Sequence, residues 1–255
     1  MPKVRVNDIE LYYQVHGEGY PVVFLHGFSS THNLWQPQVS VLSREYQFVT
    51  YDLRGHGQSE SPPSPDQYSA DIVVEDLFQL LGTLRIGKAV VGGLSTGGYQ
   101  SLRFYLTHPQ MVTALILMCT GPGFRNPDRR EEWNRQQEEQ AKRLETLGIE
   151  ALTTSQTRRD VVLEQNPVGL AHMARKVVAQ HDPWVIENLS EIKVPTLALV
   201  GENDALFFRA AEYMAKAIPG AQYAVIPEAG HAANLDNVEV FNKTVLDFLR
   251  KLNLP

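Results

Sequence analysis

The chain has 255 residues, 43% of them hydrophobic and 20% charged, with 23 Lys and Arg against 29 Asp and Glu for a formal charge of −6. Such a chain builds one sizeable core and is not a collagen, a disordered polyampholyte or a small disulfide scaffold. No basic run points to nucleic acid, the lone Cys119 has no partner for an intrachain disulfide, and no stretch approaches the roughly 18–20 apolar residues of a membrane span. The N-terminal residues alternate polar and apolar and lack the apolar centre of a signal peptide. The chain therefore reads as a soluble cytoplasmic protein with neither nucleic acid nor membrane as partner.

Residues 4–13 alternate as a half-buried strand does, slipping phase at Asn7-Asp8, where a hairpin turn is expected. Short continuous apolar runs follow at 21–25 (PVVFL), 47–51 (QFVTY), 89–91 (AVV), 114–118 (ALILM), 196–200 (TLALV) and 223–226 (YAVI). Continuous runs imply burial on both faces, the signature of a mostly parallel sheet covered by helices. Helical periodicity fills the intervals at 34–43, 69–81, 96–107, 208–217 and 238–252. The expected architecture is α/β: a mostly parallel twisted sheet with helices on both faces.

Residues 124–190 break the alternation. They carry 21 of the 52 charged residues and no buried-strand pattern, and 127–147 and 171–178 read as surface helices with narrow apolar stripes. We expect a helical lid over this window, inserted into a core formed by 1–123 and 191–255, because open α/β sheets bind ligands at the strands' carboxyl edge. A solvated excursion without function is the alternative.

Gly93-Leu94-Ser95-Thr96-Gly97 fits G-x-S-x-G between an apolar strand and a helix-compatible run. That context exposes a serine hydroxyl on a tight turn, and the small flanking residues let strand and helix approach. Serine needs a base, and histidine titrates in the useful range. Among eight histidines, His231 lies just after the last predicted strand, while His26 with Gly27 reads as an oxyanion turn. Asp204, after the 196–200 strand, is the orienting acid, with Glu202 and Asp128 as competitors. The amides of Phe28 and Thr96 are the candidate oxyanion donors. Phe28, Trp35, Phe124, Trp133, Trp184 and Phe207 are candidate pocket walls. H-E-x-x-H spacing, paired cysteines and P-loop phasing are absent from the sequence, and acyl transfer of this kind needs no metal or organic cofactor.

These residues resemble the α/β-hydrolase fold superfamily over essentially the whole length. The landmarks are His26-Gly27-Phe28, Tyr51-Asp52-Leu53-Arg54-Gly55-His56-Gly57-Gln58-Ser59, Gly93–Gly97, Gly201-Glu202-Asn203-Asp204 and Gly230-His231. The resemblance implies that Asp52, Arg54 and His56 are scaffold. Ser95-Thr96-Gly97-Gly98 looks nearest to small bacterial esterases, enol-lactonases and cofactor-free perhydrolases. It implies a serine hydrolase of a small carboxylic ester or lactone. Alternatives are a carbon–carbon hydrolase of meta-cleavage type, whose glycine turn is richer than Phe28-Ser29-Ser30, or a slow-turnover receptor that keeps the triad. Epoxide hydrolases and haloalkane dehalogenases carry aspartate where this chain has Ser95.

Overall fold

In a computed structural model, which describes residues 2–152, 165–252 and 254, Asn7 and Asp8 both take left-handed φ values, 44° and 65°. Two such residues close a hairpin whose twist matches its strands, here β1 (Lys3–Val6) and β2 (Ile9–His16). The sheet continues with β3 (Tyr20–Leu25), β4 (Tyr46–Tyr51), β5 (Ala89–Leu94), β6 (Val112–Met118), β7 (Thr196–Gly201) and β8 (Gln222–Ile226). Its order is β1-β2-β4-β3-β5-β6-β7-β8, with the β1–β2 and β2–β4 pairs antiparallel and the other five parallel. Every residue of β5 and of β7 is buried, as their unbroken small and apolar composition requires.

The expectation of two-sided burial fails for β8. It is the edge strand, so Tyr223 and Val225 stay 39% and 38% exposed and only Ile226 is buried.

Helices α1 (Gln36–Leu42), α2 (Ala70–Thr83) and α3 (Thr96–Thr107) cover the N-terminal half. Ser69 caps α2, its hydroxyl accepting the Ile72 amide at 3.1 Å. Chain leaving β3 packs Leu42 of α1 into the core on one face, whereas chain leaving β5 packs Leu102 and Phe104 of α3 into the core on the other. The carboxyl ends of β3 and β5 are adjacent, Leu25 pairing with Gly93. They form a topological switch point, where open α/β sheets leave a crevice.

Between β6 and β7 lie α4 (Pro127–Leu147) and α5 (Pro167–Met173), the latter running into a π turn at Ala174–Val178. Residues 153–164 of the expected lid window fall outside the described residues. Asn126 caps α4 through the Asp128 and Arg129 amides at 2.8 and 3.2 Å, with Pro127 opening the helix. The stretch expected as a surface helix at 171–178 is instead largely buried and begins at Pro167. Leu170, Ala171 and Ala174 form a small apolar cluster with Ala141 and Leu144 of α4, while Met173 and Val177 face the main core. Packing on two sides buries Leu170, Ala171, Met173, Ala174 and Val177, and Arg175 reaches back to Glu138 of α4 at 2.7 Å. The end of the window, with Val185 and Leu189, packs into the main core.

The last helices are α6 (Phe208–Ala217) and α7 (Val238–Lys251). No helix among the described residues is long and apolar enough to cross a membrane.

Candidate active site

Ser95 joins β5 to α3 with φ 56° and ψ −118°. A non-glycine residue in that region is strained and persists only where its surroundings over-determine it. Here the Ser95 amide donates to Met118 O at 2.9 Å, and Ser95 O accepts from Thr120 Oγ1 at 2.6 Å and from the Tyr99 amide at 3.1 Å. A Cβ at Gly97 would lie 2.3 Å from Leu25 O, and one at Gly93 would lie 2.5 Å from Gly97 C. Only glycine lets strand and helix meet this closely.

His231 follows β8, and its Nδ1 donates to Asp204 Oδ2 at 2.9 Å. Asp204 follows β7, is 4% exposed, and accepts the Phe207 amide on Oδ1 at 3.2 Å. The proton on Nδ1 leaves the Nε2 lone pair free to act as base. The His231 ring stacks on Phe207, centroids 5.2 Å apart. Of the competitors, Glu202 is committed to the Glu228 amide at 2.9 Å, anchoring the turn before the histidine. Asp128 sits on the exposed first turn of α4.

Ser95 and His231 open on one cavity of about 240 Å³, with Phe28, Thr96, Tyr99, Trp133, Gln137, Val177, Gln180 and Phe207 among its walls. Among the described residues no hydrogen bond yet joins Ser95 Oγ to His231. Such contacts commonly tighten only when substrate is bound. As the first residue of α3, Thr96 has no intrahelical acceptor for its amide.

The turn carrying Phe28 is held by two buried histidines that act as acceptors. His26 Nδ1 donates to Gly27 O at 2.7 Å while its Nε2 accepts the Leu53 amide at 3.0 Å. His56 Nδ1 donates to Arg54 O at 3.1 Å and its Nε2 accepts the Ser29 amide at 3.2 Å. Both rings must be neutral to do this. Burial lowers the pKa of each, that of His56 to about 3, with the neighbouring His26 adding to the effect. Arg54 and Asp76 form a buried two-point ion pair, Nε to Oδ2 at 2.6 Å and Nη2 to Oδ1 at 2.5 Å, tying this loop to α2. Asp52 accepts the His32 amide and ring at 2.6 and 2.8 Å and the Gln58 amide at 2.9 Å. The expected scaffold reading of Asp52, Arg54 and His56 matches these contacts.

The aromatic candidates divide. Phe28, Trp133 and Phe207 line the cavity. Trp35 does not: it is fully buried against Phe24, on the face of the sheet packed by α1. Phe124 packs behind Trp133, centroids 5.9 Å apart, and Trp184 lies under the Arg103 guanidinium at 4.9 Å. Neither is a wall residue of the cavity.

Several supports went unforeseen. Asp236 Oδ2 accepts the Gly230 amide at 2.8 Å, fixing the turn before His231. Gln38 donates to Asn242 Oδ1 at 3.0 Å and accepts from Asn234 Nδ2 at 3.1 Å, linking the α1 and α7 helices to the segment after His231. Polar residues on the apolar face of a helix, as Gln38 and Asn242 are, give the available signal for such a network.

Cys119 Sγ, an Asp204 carboxylate oxygen and a His231 ring nitrogen lie within 4.8 Å of one another. A metal would need the thiolate. Burial, the largest effect on the thiol, pushes its pKa up to about 12, and Asp204 and His231 are committed to each other. The donor set suits a protonated thiol packed under the pair better than a resident cation.

The sequence pattern of the alpha/beta hydrolase fold matches residues 20–185. The chain is 29% identical over 257 residues to 3-oxoadipate enol-lactonase 1 of Acinetobacter baylyi, covering 91% of this chain and 89% of that one. The enol-lactonase of Burkholderia xenovorans LB400 superposes with a TM-score of 0.84 at 29% identity, covering 98% of this chain and all of the other. A thermophilic esterase from Thermogutta terrifontis gives a TM-score of 0.87 at 29% identity, with 99% of each chain covered. The family pattern spans well over half of the sequence, so the chain belongs to the alpha/beta hydrolase fold family.

Proposed function

We propose that this hydrolase cleaves a small carboxylic ester or lactone through an acyl-enzyme, with Ser95 as nucleophile, His231 as base and Asp204 as the orienting acid. The observation that carries the reading is the His231–Asp204 hydrogen bond of 2.9 Å at the cavity onto which the strained Ser95 opens. The likeness to two enol-lactonases and an esterase supports the ester or lactone class.

Ser95 Oγ adds to the carbonyl carbon as its proton passes to His231 Nε2, and Asp204 stabilises the imidazolium through Nδ1. The negative charge gathering on the carbonyl oxygen is met by the amides of Phe28 and Thr96. Such a donor is worth about 3–4 kcal/mol in a transition state. Collapse breaks the carbon–oxygen bond, and His231 returns the proton to the leaving alkoxide. A water, deprotonated by the same nitrogen, then releases the acid and restores Ser95.

The direct test is covalent labelling by a fluorophosphonate. Wild-type protein is expected to take one equivalent, and a folded Ser95→Ala variant none. Undiminished labelling of the variant at another serine would remove Ser95 from the mechanism.

Residues 124–190 act in this reading as a cap inserted into a core of 1–123 and 191–255. The small separate cluster of Ala141, Leu144, Leu170, Ala171 and Ala174 supports that role, as do the cavity walls Trp133 and Val177. Replacing the cap by a Gly/Ser linker also removes Met173, Val177, Val185 and Leu189 from the main core, so a less stable protein is expected, with turnover of an acetyl ester lowered moderately. The butanoyl-to-acetyl ratio of kcat/KM should change by tenfold or more, since each methylene in a pocket is worth about 1–3 kcal/mol. An unchanged ratio in a folded deletion protein would show that the segment does not shape the pocket.

A further inference from the structure

Two amide side chains face this cavity, away from Ser95 and His231 in sequence, with hydrogen-bonding capacity to spare. Gln137 of α4 and Gln180, just beyond the π turn, are each only 9% exposed and both line the cavity. Among the described residues Gln137 has no hydrogen-bond partner on either end of its amide, and Gln180 has none on its side chain. Gln180 Oε1 is fully buried and unpartnered, and buried polar groups are nearly always satisfied, so two open amides on one cavity wall call for an explanation.

The backbone around them is built to hold them there. Asn134, one turn before Gln137 on α4, accepts the Gln180 amide at 2.7 Å and donates to Gln180 O at 2.8 Å. Trp133 Nε1 donates to Val178 O at 2.9 Å, pinning the π turn to the same helix. Gln180 Oε1 is buried against Gly123, whose φ is 92° and where a Cβ would lie 2.1 Å from that oxygen. Oε1 is thus packed away without a hydrogen-bond partner, and Nε2 is the end of the amide left for a ligand. Gln137 stands free to donate or accept.

We propose that Gln137 and Gln180 form a second recognition point for the substrate, one that selects an ester or lactone bearing a neutral hydrogen-bond acceptor, an oxo or hydroxy oxygen, on the part lying under the cap. The inference rests on the acyl-enzyme reading above and narrows its substrate class. Uncharged amides offer donors to such an oxygen without the counter-charge that a buried carboxylate would require. An alkyl chain in the same place would leave both amides desolvated and unpaired, a penalty that a hydrogen-bonding group of similar size removes.

The test compares matched phenyl esters in which an oxo oxygen replaces a methyl group: acetoacetyl against isovaleryl, and levulinyl against isocaproyl, with hemisuccinyl as the anionic analogue. Wild-type protein is expected to favour the oxo member of at least one pair by about tenfold in kcat/KM, corresponding to one or two neutral hydrogen bonds. In the Gln137→Leu, Gln180→Leu double variant that ratio should fall to about one or below. The single variant Gln180→Leu should lose part of it. Equal rates within both pairs for the wild type would overturn the inference while leaving the hydrolase reading intact. A preference for hemisuccinyl would overturn it too, since the amides would not then decide the class. If no ester in the set is turned over and Ser95 resists fluorophosphonate, the acyl-enzyme reading fails and this one with it.

Discussion

Replacing Asp204 with Asn is expected to lower kcat by about 10⁴ while leaving the fold unchanged. The carboxylate accepts His231 Nδ1–H on one oxygen and the Phe207 amide on the other. An asparagine fits the same space, but its amide nitrogen donates towards Nδ1 and so favours the tautomer with the proton on Nε2. That tautomer has no lone pair facing Ser95, and the loss in comparable triads is of this size. Steady-state hydrolysis of an aryl acetate by the two proteins checks the value. Glu202→Gln is the informative control, because Glu202 serves the Glu228 amide and lies outside the proposed relay. A severe loss from Glu202→Gln beside a mild one from Asp204→Asn would reassign the acid.

Acidification from about pH 6.5 towards pH 4 is expected to remove several kcal/mol of stability. His56 ionises near 6.5 when unfolded but only near pH 3 when folded, because burial disfavours the charged ring. Above 6.5 neither state binds the proton and the histidine contributes no pH dependence. As the pH falls below 6.5 the unfolded chain takes up the proton first, so stability drops until the folded ring also titrates. A gap of about three and a half pKa units corresponds to a total on the order of 5 kcal/mol, a large share of a typical domain's stability. His26 is shifted in the same direction and steepens the slope. Asp52 does not offset this. Burial would raise its carboxyl, but the hydrogen bonds from the His32 ring and amide hold it below the ordinary carboxylate range. Urea midpoints between pH 7 and 4.5 measure the effect, and His56→Gln should flatten the curve. A flat wild-type curve would mean the rings are not held neutral.

Much of this architecture is legible in the chain because buried parallel strands leave a simple trace. The runs at 21–25, 114–118 and 196–200 have no polar face, and each falls within a central strand. The run at 223–226 has the same composition yet forms an edge, since composition does not record how many neighbours a strand has. The residues singled out at strand ends, Ser95, Asp204 and His231, do converge, because the sheet's carboxyl edge is fixed once the strands are placed. Aromatic walls are a different matter. Trp35 and Trp133 look alike in sequence, and only packing decides that one fills the core while the other faces the cavity. Gln137 and Gln180 left no trace for the same reason. An amide on a charged surface helix is ordinary until the helix is seen to turn it inward.

The order in which the sheet is laid down has a consequence for biogenesis. The elbow at Ser95 belongs to β5, in the middle of the sheet, and both flanking strands, β3 and β6, are present once β6 has been synthesised. Asp204 and His231 follow β7 and β8, which are added outward on one side. A nascent chain emerging from the ribosome can therefore dock its central strands while still lacking both the proposed acid and the proposed base. Its serine is then an ordinary alcohol, nearly unreactive at neutral pH. On the proposed mechanism, chemistry begins only when the outermost strands close the edge, and a half-made chain is expected to carry no hydrolytic activity.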